Sequence, residues 1–190
     1  MTKIQKLIKS VERTNKAFAK MNRAEQRVQI AKDVIAALKV KRLTAKHQSY
    51  FDVSENTFLR MEDNGSDSLK DTLKTIPTCH VCAKGAIFTC TVARKNKVTN
   101  RQLLNQDWRR SDSLSKSLQG TFSARQLRLI ETEFEDDDID YGIGDTRPIS
   151  PVMELHELFD NAEDRMIAIM KNIIANKGTF KPKAPKDKSK

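Results

Sequence analysis

An all-α fold, a single helical domain of about six to seven helices, is the class this sequence predicts, and three observations predict it. Charged residues make up 32% of the 190 residues and aromatics only 6%, with six Gly and five Pro. In that balance long charged side chains coat helices and aliphatic side chains fill the inside, whereas strand-rich chains carry more aromatic, β-branched and turn-forming residues. Apolar residues recur at spacings of three and four along most of the chain, the period of a helix with one buried face. Two of these runs are preceded by a capping box, in which a side chain at the helix start and another three residues on satisfy each other's backbone N–H groups. The length suits one domain with a real core and hardly two.

Residues 3–21 carry Ile4, Leu7, Ile8, Val11, Phe18 and Met21, one stripe of an amphipathic helix. Asn22 and Glu25 form the first capping box, opening a second helix through Val28, Ala31, Val34, Ile35, Leu38 and Val40. Lys39, Lys41, Arg42 and Lys46 crowd its end, where cations also suit the helix dipole. Residues 47–65 lose the helical period and read as irregular, with a short extended piece around Ser49–Val53 and a turn at Asn64-Gly65. A short helix over 66–76 stops before Pro77, and another over 99–109 carries Trp108. The polar residues 111–120 read as a loop. A helix over 123–135 follows, with Ser123 and Gln126 as the second capping box. Residues 136–150 form an acidic, turn-rich loop.

The strongest period lies between Ser150-Pro151, which start a helix, and Gly178, which stops it. Val152, Leu155, Phe159, Ala162, Met166, Ile169 and Ile173 form a seam of alternating three and four. Leu158, Ile167, Met170 and Ile174 widen it beyond the narrow stripe of a coiled coil, so the long C-terminal helix is expected inside the domain rather than as an exposed dimer stripe. The helical domain spans 1–176, and the lysine-rich residues 177–190 are disordered by composition.

All three cysteines fall in one stretch, Thr78-Cys79-His80-Val81-Cys82 through Cys90. Cys-x-x-Cys is how many zinc knuckles begin, and Cys79, Cys82 and Cys90 would supply three ligands, with His47, His80 or His156 the fourth. The rival is a helix beginning at Pro77. In that helix Cys79, Cys82, Ala83, Ala86, Cys90 and Ala93 share one face and Val81, Phe88 and Val92 the opposite one. A continuous helix sets Cys79 and Cys90 roughly 16 Å apart at about 1.5 Å per residue, too far for one ion. Helical phasing favours a buried small-residue helix, no cofactor, and no metal. Asp136, Asp137, Asp138 and Asp140 do not make a calcium loop: counting from Asp136, Tyr141 and Arg147 stand where Gly and Glu are needed. A looser magnesium site there is a weaker alternative than a solvated loop. No nucleophile elbow, phosphate-cradling loop or zincin motif occurs, so no residue argues for catalysis.

Charge is unevenly spread. Residues 1–46 hold 13 Lys and Arg against 3 acidic residues, residues 47–176 hold 16 against 21, and residues 177–190 hold 6 against 1. A basic N-terminal arm and a basic tail thus flank a mildly acidic body, a layout that points to an anionic partner. Lys39, Lys41, Arg42 and Lys46 are the first candidates for the contact. No apolar signal region and no run of about 18 uncharged apolar residues is present, and three clustered cysteines do not make a disulfide framework. A cytoplasmic protein without membrane partners is expected, with homo-oligomerisation left open.

The segments TCHVCAKGAIF, SARQLRLIETEFE and DRMIAIMKNIIANKGTFKP resemble stretches of short uncharacterised helical proteins of bacteria and phages, over about a quarter of the chain. The resemblance implies a bacterial or phage accessory protein and attaches no activity to a residue. The expected function is a non-enzymatic binding protein that contacts nucleic acid, or another acidic surface, through its basic N-terminal helices. Two alternatives stand beside it: a regulator or inhibitor of a host protein, such as an anti-defence protein, and a zinc- or metal-dependent module.

Overall fold

In a computed structural model, residues 1–95, 98–104, 118, 120–135 and 158–181 are described. In chain order the elements are α1 (Lys3–Lys20), α2 (Arg23–Lys39), β1 (Leu43–Ala45), α3 (Glu55–Asp63), α4 (Leu69–Thr75), β2 (Cys79–Val81), α5 (Ala83–Lys95), α6 (Asn100–Leu104), α7 (Ala124–Glu135) and α8 (Ala162–Ala175). The fold is mostly helical, as predicted. Added to it is a two-stranded parallel sheet pairing Leu43 with Cys79, Thr44 with His80 and Ala45 with Val81.

Two helices organise the core. α2 buries Ile30, Ala31, Val34, Ala37 and Leu38, and α5 is buried nearly all round, through Ala83, Ala86, Ile87, Phe88, Cys90 and Val92. Around them α8 packs on α2, α7 on α5 and α8, α4 on α5, and α1 on both α2 and α5. Removing each large apolar side chain of this core from water contributes about 1.5–3 kcal/mol. Such side chains include Phe88, Phe134 and Phe180.

The helix expected from Pro77 begins later, and the reason is local. Cys79–Val81 is a strand with buried, exposed, buried alternation. Its backbone is satisfied on both edges: the Cys79 N–H donates to Arg42 O at 3.1 Å and Lys46 N–H to Val81 O at 2.9 Å, while His80 and Asp52 exchange N–H···O bonds of 2.8 and 2.9 Å. Once these groups are paired across strands they cannot also make helical bonds. The helix therefore starts at Ala83. Gly85 in its first turn is required because a Cβ there would overlap the Tyr50 carbonyl.

Other boundaries shift too. Residues 55–63, expected to be irregular, form α3, whose buried positions are only Thr57 and Met61; exposed Phe58 and Leu59 blur its period. The long helix expected over 150–176 is interrupted: Phe159 and Asp160 are not helical, and α8 starts after Asn161. The Asn161 side chain accepts from Glu163 N–H at 2.7 Å, and the Arg165 guanidinium donates to the Phe159 carbonyl at 2.9 and 3.1 Å. The side chain thus occupies an acceptor that a continuous helix would need. Of the expected seam, Met166, Ile169 and Ile173 are buried and Phe159 and Ala162 half-buried, whereas Leu158, expected to widen it, is exposed; Val152 and Leu155 lie outside the described residues.

The capping box at Asn22 and Glu25 is present, with bonds of 3.0 and 2.8 Å. That at Ser123 is half present. Ser123 accepts from Gln126 N–H at 3.2 Å, but the Gln126 side chain is spent on the Phe180 backbone, accepting at 2.9 Å and donating at 3.1 Å. The domain boundary expected at 176 accordingly falls inside the fold, because Phe180 is buried. Gly178 has φ +90°, and a Cβ on it would run into the Ala24 carbonyl. The acidic loop with its four aspartates, Trp108 and His156 all lie outside the described residues.

Candidate anion-binding surface

Where the N-terminal charge goes is decided by how α1 is seated. Thr2 caps it, its side chain accepting from Gln5 N–H at 3.1 Å while the Gln5 side chain accepts from Thr2 N–H at 2.8 Å. Val11 and Phe18 are buried, and Leu7 is packed on the core beside them. The seat is fixed by Arg94 of α5. Its guanidinium makes a two-pronged pair with Asp33 of α2, at 2.8 and 2.9 Å. It also donates to Val11 O at 3.1 Å, Thr14 Oγ1 at 2.7 Å and Asn15 Oδ1 at 3.3 Å, and lies 5.2 Å from the centre of the Phe18 ring. One buried cation thus binds α1, α2 and α5 together and fixes which face of α1 looks outward.

That outward face is cationic. At about 100° per residue, Lys6, Lys9, Arg13, Lys16 and Lys20 fall within roughly 80° of one another, centred opposite Phe18. All five are exposed, as is Lys3 near the helix start. From Lys6 to Lys20 the row runs about 21 Å at 1.5 Å per residue. None of these side chains forms an ion pair with a described residue. The one acid of α1, Glu12, lies off the row and pairs with Lys74 at 3.1 Å. The helix has no acidic residue in its first turn, so its dipole opposes Lys3 and Lys6 rather than favouring them.

The four candidates at the α2–β1 junction behave differently. Lys41 pairs with Glu163 at 2.7 Å and Lys46 with Asp52 at 3.0 Å. Arg42 donates to Leu73 O at 2.8 Å, and burial lowers its pKa from the ordinary guanidinium value. Lys39 is exposed and has no ion-pair partner among the described residues. The cluster that looked densest in sequence is therefore largely neutralised by the fold, and the open row is on α1. The signal that could have found it is the recurrence of Lys and Arg every three or four residues there, in antiphase with the apolar stripe.

The first residues of the basic tail are tied to α2. Arg27 of α2 donates through Nε to Gly178 O and through Nη1 to Thr121 O at 2.9 Å. With Gly178 lying against Ala24, the start of the tail is held at the first turns of α2, three residues beyond the Lys20 end of the row.

The cysteines are free and buried. Burial pushes the Cys79 and Cys82 thiols up to about 12, the Arg42 charge offsetting this in part at Cys79 and the Gly85 N–H at Cys82, and pushes Cys90 higher still. Thiols that hold their protons are poor ligands and poor nucleophiles. Cys79 is on β2, Cys82 directly before α5 and Cys90 inside α5; His80 is exposed on β2, and His47 stacks on Phe134 at 4.8 Å. Among the described residues no group of three or more His, Cys, Asp or Glu is placed to hold a metal ion. None of the described helices is long and apolar enough to cross a membrane. No protein-family profile, curated protein or solved structure matches the chain.

Proposed function

We propose that this is a non-enzymatic, cytoplasmic binding protein of bacterial or phage origin that holds an anionic partner, nucleic acid above all, on the outer face of α1. The observation that carries the reading is the row Lys6, Lys9, Arg13, Lys16 and Lys20, exposed and without an ion pair to any described residue, on a helix whose other face is anchored by Arg94. Cations crowded on one face repel one another and gain only from a partner that brings negative charge. A polyanion brings it in a row, and displacement of its condensed counterions drives the association. Lysine predominates over arginine, and lysine acts as a point charge rather than a fork that reads one geometry. Contacts of that kind go to phosphates and fix position, not sequence.

The test is a titration of labelled nucleic acid at two salt concentrations, with the full chain and with a form ending at Lys181. Binding that weakens steeply with salt and survives the truncation supports the reading. Binding lost with the tail assigns it to residues 182–190 instead, and no binding at low salt removes it. Truncation belongs after Lys181 because a cut at 176 would delete buried Phe180.

A second reading, a regulator that docks on a host protein, draws on a different face. Phe58 and Leu59 of α3 are 43% and 49% exposed. Phe58 lines a recess of about 390 Å³ together with Phe51, Val53, Met61, Leu103 and Leu104. Partner capture that persists in high salt and is lost in Phe58→Ser would favour it.

A further inference from the structure

We infer that the α1 row is built for the backbone of a double-stranded nucleic acid, met along one line of phosphates and read without regard to sequence. The inference rests on the proposed function and narrows it to one partner.

Three features of the helix select the duplex. The first is stiffness. Five cations are held by a hydrogen-bonded rod about 21 Å long, and the rod is anchored to the body by Arg94 and Phe18. A duplex offers an equally stiff array, with roughly one charge per 1.7 Å of axis. Rigid rows that match lose little conformational freedom on meeting, whereas a flexible single strand must first be straightened.

The second is the absence of stacking surface. Proteins that hold single strands without sequence preference set aromatic rings among their cations, each stacked base adding about 1–3 kcal/mol. On α1 the one aromatic is Phe18, 2% exposed and on the far side from the row. The arc between Lys16 and Lys6 offers charge and nothing for a base to stack on.

The third concerns depth. A helix of about 10–12 Å diameter that enters a major groove of about 12 Å reads bases with side chains that present donors and acceptors in pairs. α1 is seated on α2 and α5 through Val11 and Phe18, and its outward row is four lysines and one arginine, in the main point charges that suit the phosphate ridge rather than base edges. The same seating excludes a lipid surface: Val11 and Phe18, which would have to enter the bilayer, are already in the core.

The experiment compares a mixed-sequence duplex of about 30 base pairs, a second duplex of different sequence and one of the single strands, all against the full chain across a salt series. Both duplexes should bind equally, and each more tightly than the single strand by at least about tenfold. With five phosphates engaged the slope of log K against log salt should be about −4.5, so affinity should fall about 500-fold between about 50 and about 200 mM salt. Replacing Lys9, Arg13 and Lys16 by Gln should flatten that slope by about 2.7, whereas Lys41→Gln with Lys46→Gln should leave it within about one unit of the parent. Circular dichroism checks that both variants stay helical.

Equal affinity for single strand and duplex overturns the inference while leaving the anion-binding reading in place. A strong preference for one duplex sequence also overturns it, since the row has no means of reading bases. An unchanged slope in the Gln variant moves the contact off α1, and failure to bind any of the three probes at low salt ends both.

Discussion

The row on α1 and the cluster at the α2–β1 junction are both dense in lysine and arginine, and the fold uses them in opposite ways. At the junction, Lys41 and Lys46 face carboxylates and Arg42 donates to a backbone carbonyl. On α1, Lys6, Lys9, Arg13, Lys16 and Lys20 face solvent. What separates them is where the acids are. The mildly acidic body surrounds the junction and supplies Glu163 and Asp52. Among the described residues its one ion pair with α1 is that of Lys74, itself basic, with the helix's single acid Glu12. Local charge density in a sequence is thus a poor guide to electrostatic potential; the partners that a fold brings alongside decide it.

The comparison breaks most completely if α1 loses its seat. Arg94→Ala leaves Asp33 buried without its cation and deprives Val11, Thr14 and Asn15 of a donor. Breaking a buried pair from one side costs about 3–5 kcal/mol, and urea unfolding should show a loss of that order. Arg94→Ala with Asp33→Ala should be less damaging than the sum of the two single changes, because the stranded charge is gone. A cost below about 1 kcal/mol for Arg94→Ala would mean that α1 is held by its apolar face alone. Next in size is Arg42→Ala at the junction. It removes a charged donor to Leu73 O, and should cost about 1.5–3 kcal/mol.

The helices with a wide buried face and a capping residue were legible before the structure. α2 announces itself by Asn22 and Glu25 and by the spacing of Val34 and Leu38. β2 was not legible, because helical phase and strand alternation both place Cys79 in the interior. The partners that choose between them, Arg42, Lys46 and Asp52, are remote in sequence. The break before α8 was hidden for a related reason. The apolar seam runs straight through it, and only Asn161 and the reach of Arg165 to Phe159 O mark the stop. Of the candidate site, the basic character of the first helices could be read, but not which cations remain open. That depended on Glu163, separated from Lys41 by 122 positions.

Smaller effects sharpen the contrast. Lys9→Gln, Arg13→Gln and Lys16→Gln should each change stability by no more than about 0.5 kcal/mol, as expected at exposed sites without an ion-pair partner among the described residues. Any net change for the three together should be a gain, since it relieves like charges three and four residues apart on one helix. A clear loss in thermal unfolding would show that these side chains do structural work and are not a free surface.

The finest comparison uses two helix ends of the same geometry. Lys41 after α2 has φ 58° and Lys177 after α8 has φ 52°. In each case the lysine N–H and the next residue's N–H close back on the last turn, to Leu38 and Ala37 in one and to Ile174 and Ile173 in the other. Glycine is the residue such a position favours, because the left-handed conformation costs other residues about 1–2 kcal/mol. Part of that gain is returned through the greater freedom of glycine in the unfolded chain. Lys177 has no ion-pair partner among the described residues, so Lys177→Gly should stabilise by about 0.5–1 kcal/mol. Lys41→Gly gains the same relief but loses the pair with Glu163, in which the lysine side chain is 69% exposed. Pairs so exposed contribute about 0–1 kcal/mol, and Lys41→Gly should fall short of Lys177→Gly by that amount. The shortfall, read by denaturant unfolding in low and high salt, measures how firmly the junction charge is held. A shortfall that vanishes in high salt confirms that Glu163 neutralises Lys41. Identical gains at both salts would mean that Lys41 is as free as the α1 row.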